Sequence, residues 1–170
     1  MLKEITQYNL YLRLFGLTKI PLLFFCSPKI VELGNEKVIL KIPLKKMTKN
    51  HLNSMYFGAL AVGADCAAGL LATKFIRESK KKVHLSFKSI HGDFLKRAEG
   101  DAYFINDQGK EICAVVQEVI SNPGLRKNID IHIRVETKVK NKNPGHENLD
   151  TQEILHVAQF TLTLSLKHKD

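Results

Sequence analysis

Asp65 is the side chain in this sequence best placed to do chemistry, because it is the one carboxylate in an otherwise apolar, small-residue run. The segment Asn50 to Ala72 reads NHLNSMYFGALAVGADCAAGLLA: a polar, Asn-containing entry followed by a helix-length stretch of Ala, Gly, Val and Leu. An unpaired carboxylate is costly to bury, so Asp65 is either paired by its surroundings or used for chemistry. Along a helix Gly58, Ala61, Val62, Asp65, Ala68, Gly69 and Ala72 share one face, and no Lys or Arg lies within a turn of Asp65. The start of such a helix carries free backbone N–H donors, here near Phe57 and Gly58, that favour developing negative charge. The small residues have a plainer use, since they let another backbone approach the helix closely.

Other chemical candidates are weaker. Cys26, Cys66 and Cys113 are odd in number and without metal-ligand spacing, which fits a reducing compartment. Cys66 beside Asp65 reads as a small buried apolar residue rather than a nucleophile. His51 stands at the helix entry, where a capping or surface role competes with a site role. His84, His91, His132, His146, His156 and His168 show no metal spacing, so no metal is expected. Gly-rich phosphate loops and a Gly-x-Ser-x-Gly elbow are absent.

The elements that must position Asp65 follow from periodicity. Leu2, Ile5, Tyr8, Leu12 and Phe15 recur at helical spacing, with Gly16 as the expected end, and Pro21 and Pro28 bracket an apolar lid-like segment. Lys29 to Pro43 reads as strand broken by a turn at Gly34-Asn35. The central helix is expected over Ser54 to Arg77, with Ser54 or Asn53 as N-cap. Five strands are expected after it. The first carries Val83, Leu85 and Phe87; the second carries Ala102 and Phe104 and ends in a hairpin at Asn106-Asp107-Gln108-Gly109. The third spans Glu111 to Ile120. The fourth alternates Ile129, Ile131, Ile133 and Val135, and the fifth, Glu153 to Lys167, carries Phe160, Leu162, Leu164 and Leu166. Lys138 to Asp150 reads as a polar strand end and turn. One sheet must then curl around the long helix, because no other element is long enough to cover it.

The chain has 170 residues, 44% hydrophobic and 25% charged, with a formal net charge of +9. These values suit one ordinary globular domain over residues 1–170, with 1–28 forming the N-terminal helix and lid. The positive charge favours acidic or phosphorylated partners, but the lysines are scattered and not interleaved with aromatics, so no nucleic-acid partner is expected. The N-terminal residues carry an acid and lack a small-residue cleavage site, unlike a secretory signal. Leu52 to Thr73 approaches the length of a membrane span, yet Asn53, Ser54 and Asp65 and the sheet-like sequence after it favour a core helix. A cytoplasmic location is expected.

A long helix wrapped by a curled antiparallel sheet resembles the hotdog fold, an α+β class. Asn50 to Asp65 is similar to the central-helix entry of hotdog thioesterases related to the phenylacetate-pathway enzymes. Those have an Asn, a His-Gly-Gly six residues on, and an acid seven residues after the last Gly. Here Asn50, Gly58 and Asp65 match, Tyr56 stands in the His position and Phe57 replaces the first Gly. Asn50-His51 also resembles the uncharacterised thioesterase-like branch. The resemblance implies hydrolysis of an acyl thioester, with coenzyme A as part of the substrate and no separate cofactor. Gly58, Asp65 and Asn50 are the implied catalytic residues. His51, Asn53, Tyr56 and Phe57 are expected to bind substrate. A homodimer or tetramer is implied, and one physical argument agrees. Gly58 and Asp65 are separated by about 10 Å of helix rise, too far for both to act on one carbonyl from the same chain. The same fold with a structural Asp65 would instead be a non-catalytic acyl-thioester binding module, the alternative that the altered His-Gly-Gly segment supports.

Overall fold

The computed structural model of the protein describes residues 2–140 and 152–168. Its elements in order are α1 (Leu2–Thr18), α2 (Pro21–Cys26), β1 (Lys29–Leu33), β2 (Val38–Ile42), α3 (Phe57–Ser79), β3 (Val83–Phe94), β4 (Ala102–Asn106), α4 (Gly109–Ser121), β5 (Arg126–Lys140) and β6 (Gln152–His168). Six strands form one antiparallel sheet in the order β1-β2-β4-β5-β6-β3. The strand end expected after Lys138 reaches Lys140; the turn beyond it, with His146, lies outside the described residues.

The sheet buries α3 as the alternation of its strands requires. Ile131, Ile133 and Val135 of β5 and Phe160, Leu162, Leu164 and Leu166 of β6 are buried, and Ala64, Ala67, Ala68, Leu71 and Ala72 of α3 lie in the same core. Gly63 shows why small residues are needed there: a Cβ built on it would fall inside the ring of Phe104 from β4. Two polar clamps fix the helix against the sheet side. Buried Asn106 donates to the Ala67 carbonyl at 3.1 Å, and buried Lys74 donates to Asn35 at 2.6 Å and to Glu78 at 2.7 Å. Length and composition would let α3 cross a bilayer, but in this fold most of its apolar surface faces the sheet.

Three expectations are corrected. Glu111 to Ile120 is helical, not a strand. Ile112, Val116 and Val119 are buried at helical spacing, so α4 packs beside α3 and shares its cover with the sheet. The expected hairpin at Asn106–Gly109 is the entry to that helix. Asn106 Oδ1 accepts the Gln108 N–H at 3.1 Å and Gly109 N–H donates to Glu36 O at 2.9 Å, turning the chain out of β4. The third concerns the start of α3, which is Phe57 and not Ser54. Tyr56 occupies the N-cap with no side-chain cap bond, while Asn53 adopts a left-handed φ of 60° in the preceding loop.

The N-terminal helix forms as expected but continues through Gly16 to Thr18. Gly16 is a contact point, not a stop: a Cβ there would lie 2.9 Å from the Phe24 nitrogen, so α2 can rest against α1. Asn9 on α1 covers edge strand β1, accepting from Ile30 N–H at 2.8 Å and donating to Ile30 O at 3.1 Å. The other edge, β3, is 12 residues long and has no strand beyond it among the described residues. That is why Val83, Leu85 and Phe87, expected in the main core, are only half-buried. An uncovered edge of this length is a template for pairing with another chain.

Leu164 is fully buried between sheet and helix. Leu164→Ala is expected to cost ~2–5 kcal/mol through lost burial and the cavity it leaves. Denaturant unfolding of the variant measures this.

Candidate functional site

Two clefts open along β3, one at each half of the expected site. The first, of ≈ 450 Å³, is walled by Ala61, Val62 and Asp65 of α3, by Phe87 to Ile90 of β3, by Leu162, and by Ile20, Leu22 and Leu23 at α2. The lid-like N-terminal segment thus helps enclose this cleft. The expectation of a buried Asp65 is corrected: in the single chain its side chain is exposed at the cleft. It forms no hydrogen bond or ion pair among the described residues. Crowding by apolar surroundings raises its pKa above the ordinary carboxylate range. The neighbouring Cys66 thiol is pushed far up, by burial first and then by the Asp65 charge, and is no nucleophile.

The second cleft, of ≈ 560 Å³, lies at the start of α3 and the end of β3. Asn50, His51, Tyr56 and Phe57 line it together with Leu60, Phe94 and the segment Leu95 to Ala98. The Tyr56 N–H donates to Thr48 O at 2.8 Å, and the first N–H groups to re-enter the helix ladder are those of Ala59 and Leu60, both onto Tyr56 O. The Phe57 and Gly58 N–H groups are therefore free donors at the helix start, as helix geometry requires. Asn50 organises the loop before them. Its Oδ1 accepts the N–H groups of Leu52 at 2.9 Å and Ser54 at 3.2 Å, which leaves its Nδ2 for a ligand. Asn53 sits exposed in that turn and does not line the cleft.

An aromatic series runs from the helix-start cleft onto β6. Tyr56 and Phe57 have ring centroids 4.7 Å apart, Phe57 and Phe94 6.2 Å, and Phe94 and Phe160 5.7 Å. Phe57 and Phe94 remain 59% and 53% exposed, a large apolar surface beside an edge strand. Sequence reasoning missed Phe94, Lys96 and Arg97. Their signal was present, since an aromatic and two cations end a strand whose other residues alternate, but only the sheet order shows that this end meets the start of α3. Among the described residues, no three His, Cys, Asp or Glu side chains converge closely enough to hold a metal ion.

A curled antiparallel sheet around one long helix is the hotdog fold. The chain belongs to the family described as a domain of unknown function, DUF4442, whose profile matches residues 11–144. No curated protein sequence matches it. Among solved structures it is similar to a protein of unknown function from Chlorobaculum tepidum, at 13% identity and a TM-score of 0.75, covering 97% of each chain. It is also similar to a thioesterase family protein from Silicibacter pomeroyi, at 16% identity and a TM-score of 0.65, covering 95% of this chain and 99% of the other. A thioesterase from Haemophilus influenzae is 10% identical with a TM-score of 0.56, over 93% and 88% of the two chains. These likenesses establish the fold.

The raised pKa of Asp65 has a stability consequence. The folded chain holds this proton more tightly than the unfolded one, so stability falls as pH rises from the ordinary carboxylate range through the raised value. Asp65→Asn is therefore expected to melt above wild type at neutral pH. The gap should close as the pH falls to about 3 and below, under the ordinary Asp pKa of about 3.9, where the carboxyl is mostly protonated in both states. Thermal unfolding at the two pH values checks this.

Proposed function

We propose that the protein hydrolyses acyl thioesters at a site built by two copies of the chain joined along β3. The observation that carries this reading is the unpartnered Asp65 in an apolar cleft beside an open sheet edge. The free N–H donors of Phe57 and Gly58 flank the other end of that edge. The two lie about 10 Å apart along one helix. Antiparallel pairing of two β3 strands sets the Asp65 cleft of one protomer beside the helix-start cleft of its partner, which brings the two halves within reach of one carbonyl.

In that site the Phe57 and Gly58 N–H groups polarise the thioester carbonyl and hold the oxyanion that forms on attack. Asp65 takes a proton from water, and the water oxygen bonds to the carbonyl carbon. The C–S bond then breaks and the departing sulfur takes the proton back from Asp65. A carboxylate with a raised pKa is a better base at neutral pH than an ordinary one. Direct attack by Asp65, giving an acyl anhydride that water later opens, uses the same placement. The Asn50 Nδ2 is placed to orient the acyl group or water, and His51, Tyr56 and Phe57 wall the pocket. Ala61, Val62, Ile90 and Leu162 offer the acyl chain an apolar surface. Lys96 and Arg97 at the second cleft form no ion pair among the described residues, which suits the phosphates of coenzyme A. The exposed ring of Tyr56, where the thioesterases that Asn50 to Asp65 resembles carry His, is the feature that favours the second reading, a binding module without turnover.

Asp65→Asn should lower thioester hydrolysis by ~10²–10⁴, the usual range for loss of a general base, while the protein keeps its fold and assembly. Turnover of a panel of acyl-CoAs by wild type and variant is the test. A folded variant with unchanged turnover rejects Asp65 as the base, and a wild type that binds acyl-CoAs without turning them over supports the binding module.

A further inference from the structure

A third cavity, of ≈ 520 Å³, lies between α1, α2 and the β1–β2 hairpin, on the far side of α2 from Asp65. Three cations line it, Arg13, Lys29 and Lys45, and no acidic side chain does. None of the three forms an ion pair among the described residues. Two are held in place by other means: Arg13 lies over the Phe24 ring, 5.9 Å from its centroid, and the Lys45 Nζ donates to Ser27 Oγ at 2.5 Å. Asp101, whose charge reaches Lys29, is already held by Lys41 at 2.9 Å and by the Leu44 N–H at 2.9 Å. Three like charges around one cavity repel one another, and among the described residues no acidic side chain lines it. An anion with several oxygens relieves that repulsion, and guanidinium and ammonium groups together suit phosphate.

We propose that this cavity binds a phosphate group. Leu12, Leu23 and Phe24 give it an apolar wall, and Leu10, Leu14 and Leu17 form an exposed apolar stripe on α1 beside Arg13. The phosphate is therefore either that of a small phosphate ester or the headgroup phosphate of an anionic lipid. Buried Leu23 stands between this cavity and the Asp65 cleft, lining both, so an occupant here does not enter that cleft. The site is independent of the hydrolase reading.

The test is titration calorimetry with inorganic phosphate at fixed ionic strength. Alongside it, vesicles of phosphatidylcholine with and without phosphatidic acid are tested for sedimentation of the protein. Saturable binding in either arm is expected, with chloride ineffective. Binding of inorganic phosphate without vesicle preference assigns a small phosphate ester, and binding to phosphatidic acid vesicles alone assigns the lipid. In both cases the double substitution Arg13→Gln with Lys45→Gln should weaken binding about tenfold or more, as expected for loss of charge-assisted hydrogen bonds. Asp65→Asn should leave it unchanged. If the double variant does not fold, Lys29→Gln takes its place, with a drop of about threefold or more. Absence of saturable binding in both arms, or binding indifferent to these substitutions, overturns the proposal.

Discussion

The burial of a 23-residue apolar helix against a single curled sheet is the interaction on which the other features depend. The helix needs small residues wherever the sheet comes close, as Gly63 against Phe104 shows. It also needs its few polar neighbours to be satisfied: Asn106 of β4 donates to the Ala67 carbonyl of the helix, and Lys74 of the helix donates to Asn35 in the β1–β2 turn. Asp65 lies outside that scheme. It faces the cleft between α3 and β3, where apolar atoms raise its pKa and no described residue pairs with it.

The sheet manages its two edges differently. At β1 the carboxamide of Asn9 substitutes for a neighbouring strand by bonding both backbone groups of Ile30. At β3 nothing comparable is present among the described residues, and Ile90 and Phe94 stand exposed along it among polar residues. A long edge strand of this kind offers a second chain a surface to pair with, as the proposed site requires. The rise of α3 gives the same result by another route, since it separates the helix-start donors from Asp65 by about 10 Å. The open edge at β3 and the rise of α3 are the two features on which the proposed two-chain arrangement rests.

Much of this was legible in the sequence. The alternating sets in β5 and β6, the helix around Asp65 and the clustering of Asn50, His51, Tyr56 and Phe57 all follow from periodicity and resemblance. Glu111 to Ile120 misled because its β-branched Ile and Val residues suit a strand, while the spacing of Ile112, Val116 and Val119 suits a helix. Tertiary packing against α3 decides between them. The start of α3 was misplaced because Ser54 and Asn53 are good caps by type, yet Asn50 recruits Ser54 into its own turn. Phe94, Lys96 and Arg97 could not be assigned to the site without the sheet order. Nor could the convergence of Arg13, Lys29 and Lys45, which come from three separate segments.

The two-chain site is tested most directly by complementation. One protomer carries Asp65→Asn and the other Gly58→Pro, which removes the N–H at the helix start and which the first helical turn can accept. The added ring displaces the exposed Tyr56 side chain, so fold and assembly of each variant are verified first. Each homodimer should be inactive, whereas purified heterodimers should regain one working site of the two and about half the wild-type turnover. Heterodimers that stay inactive would contradict a site shared between chains.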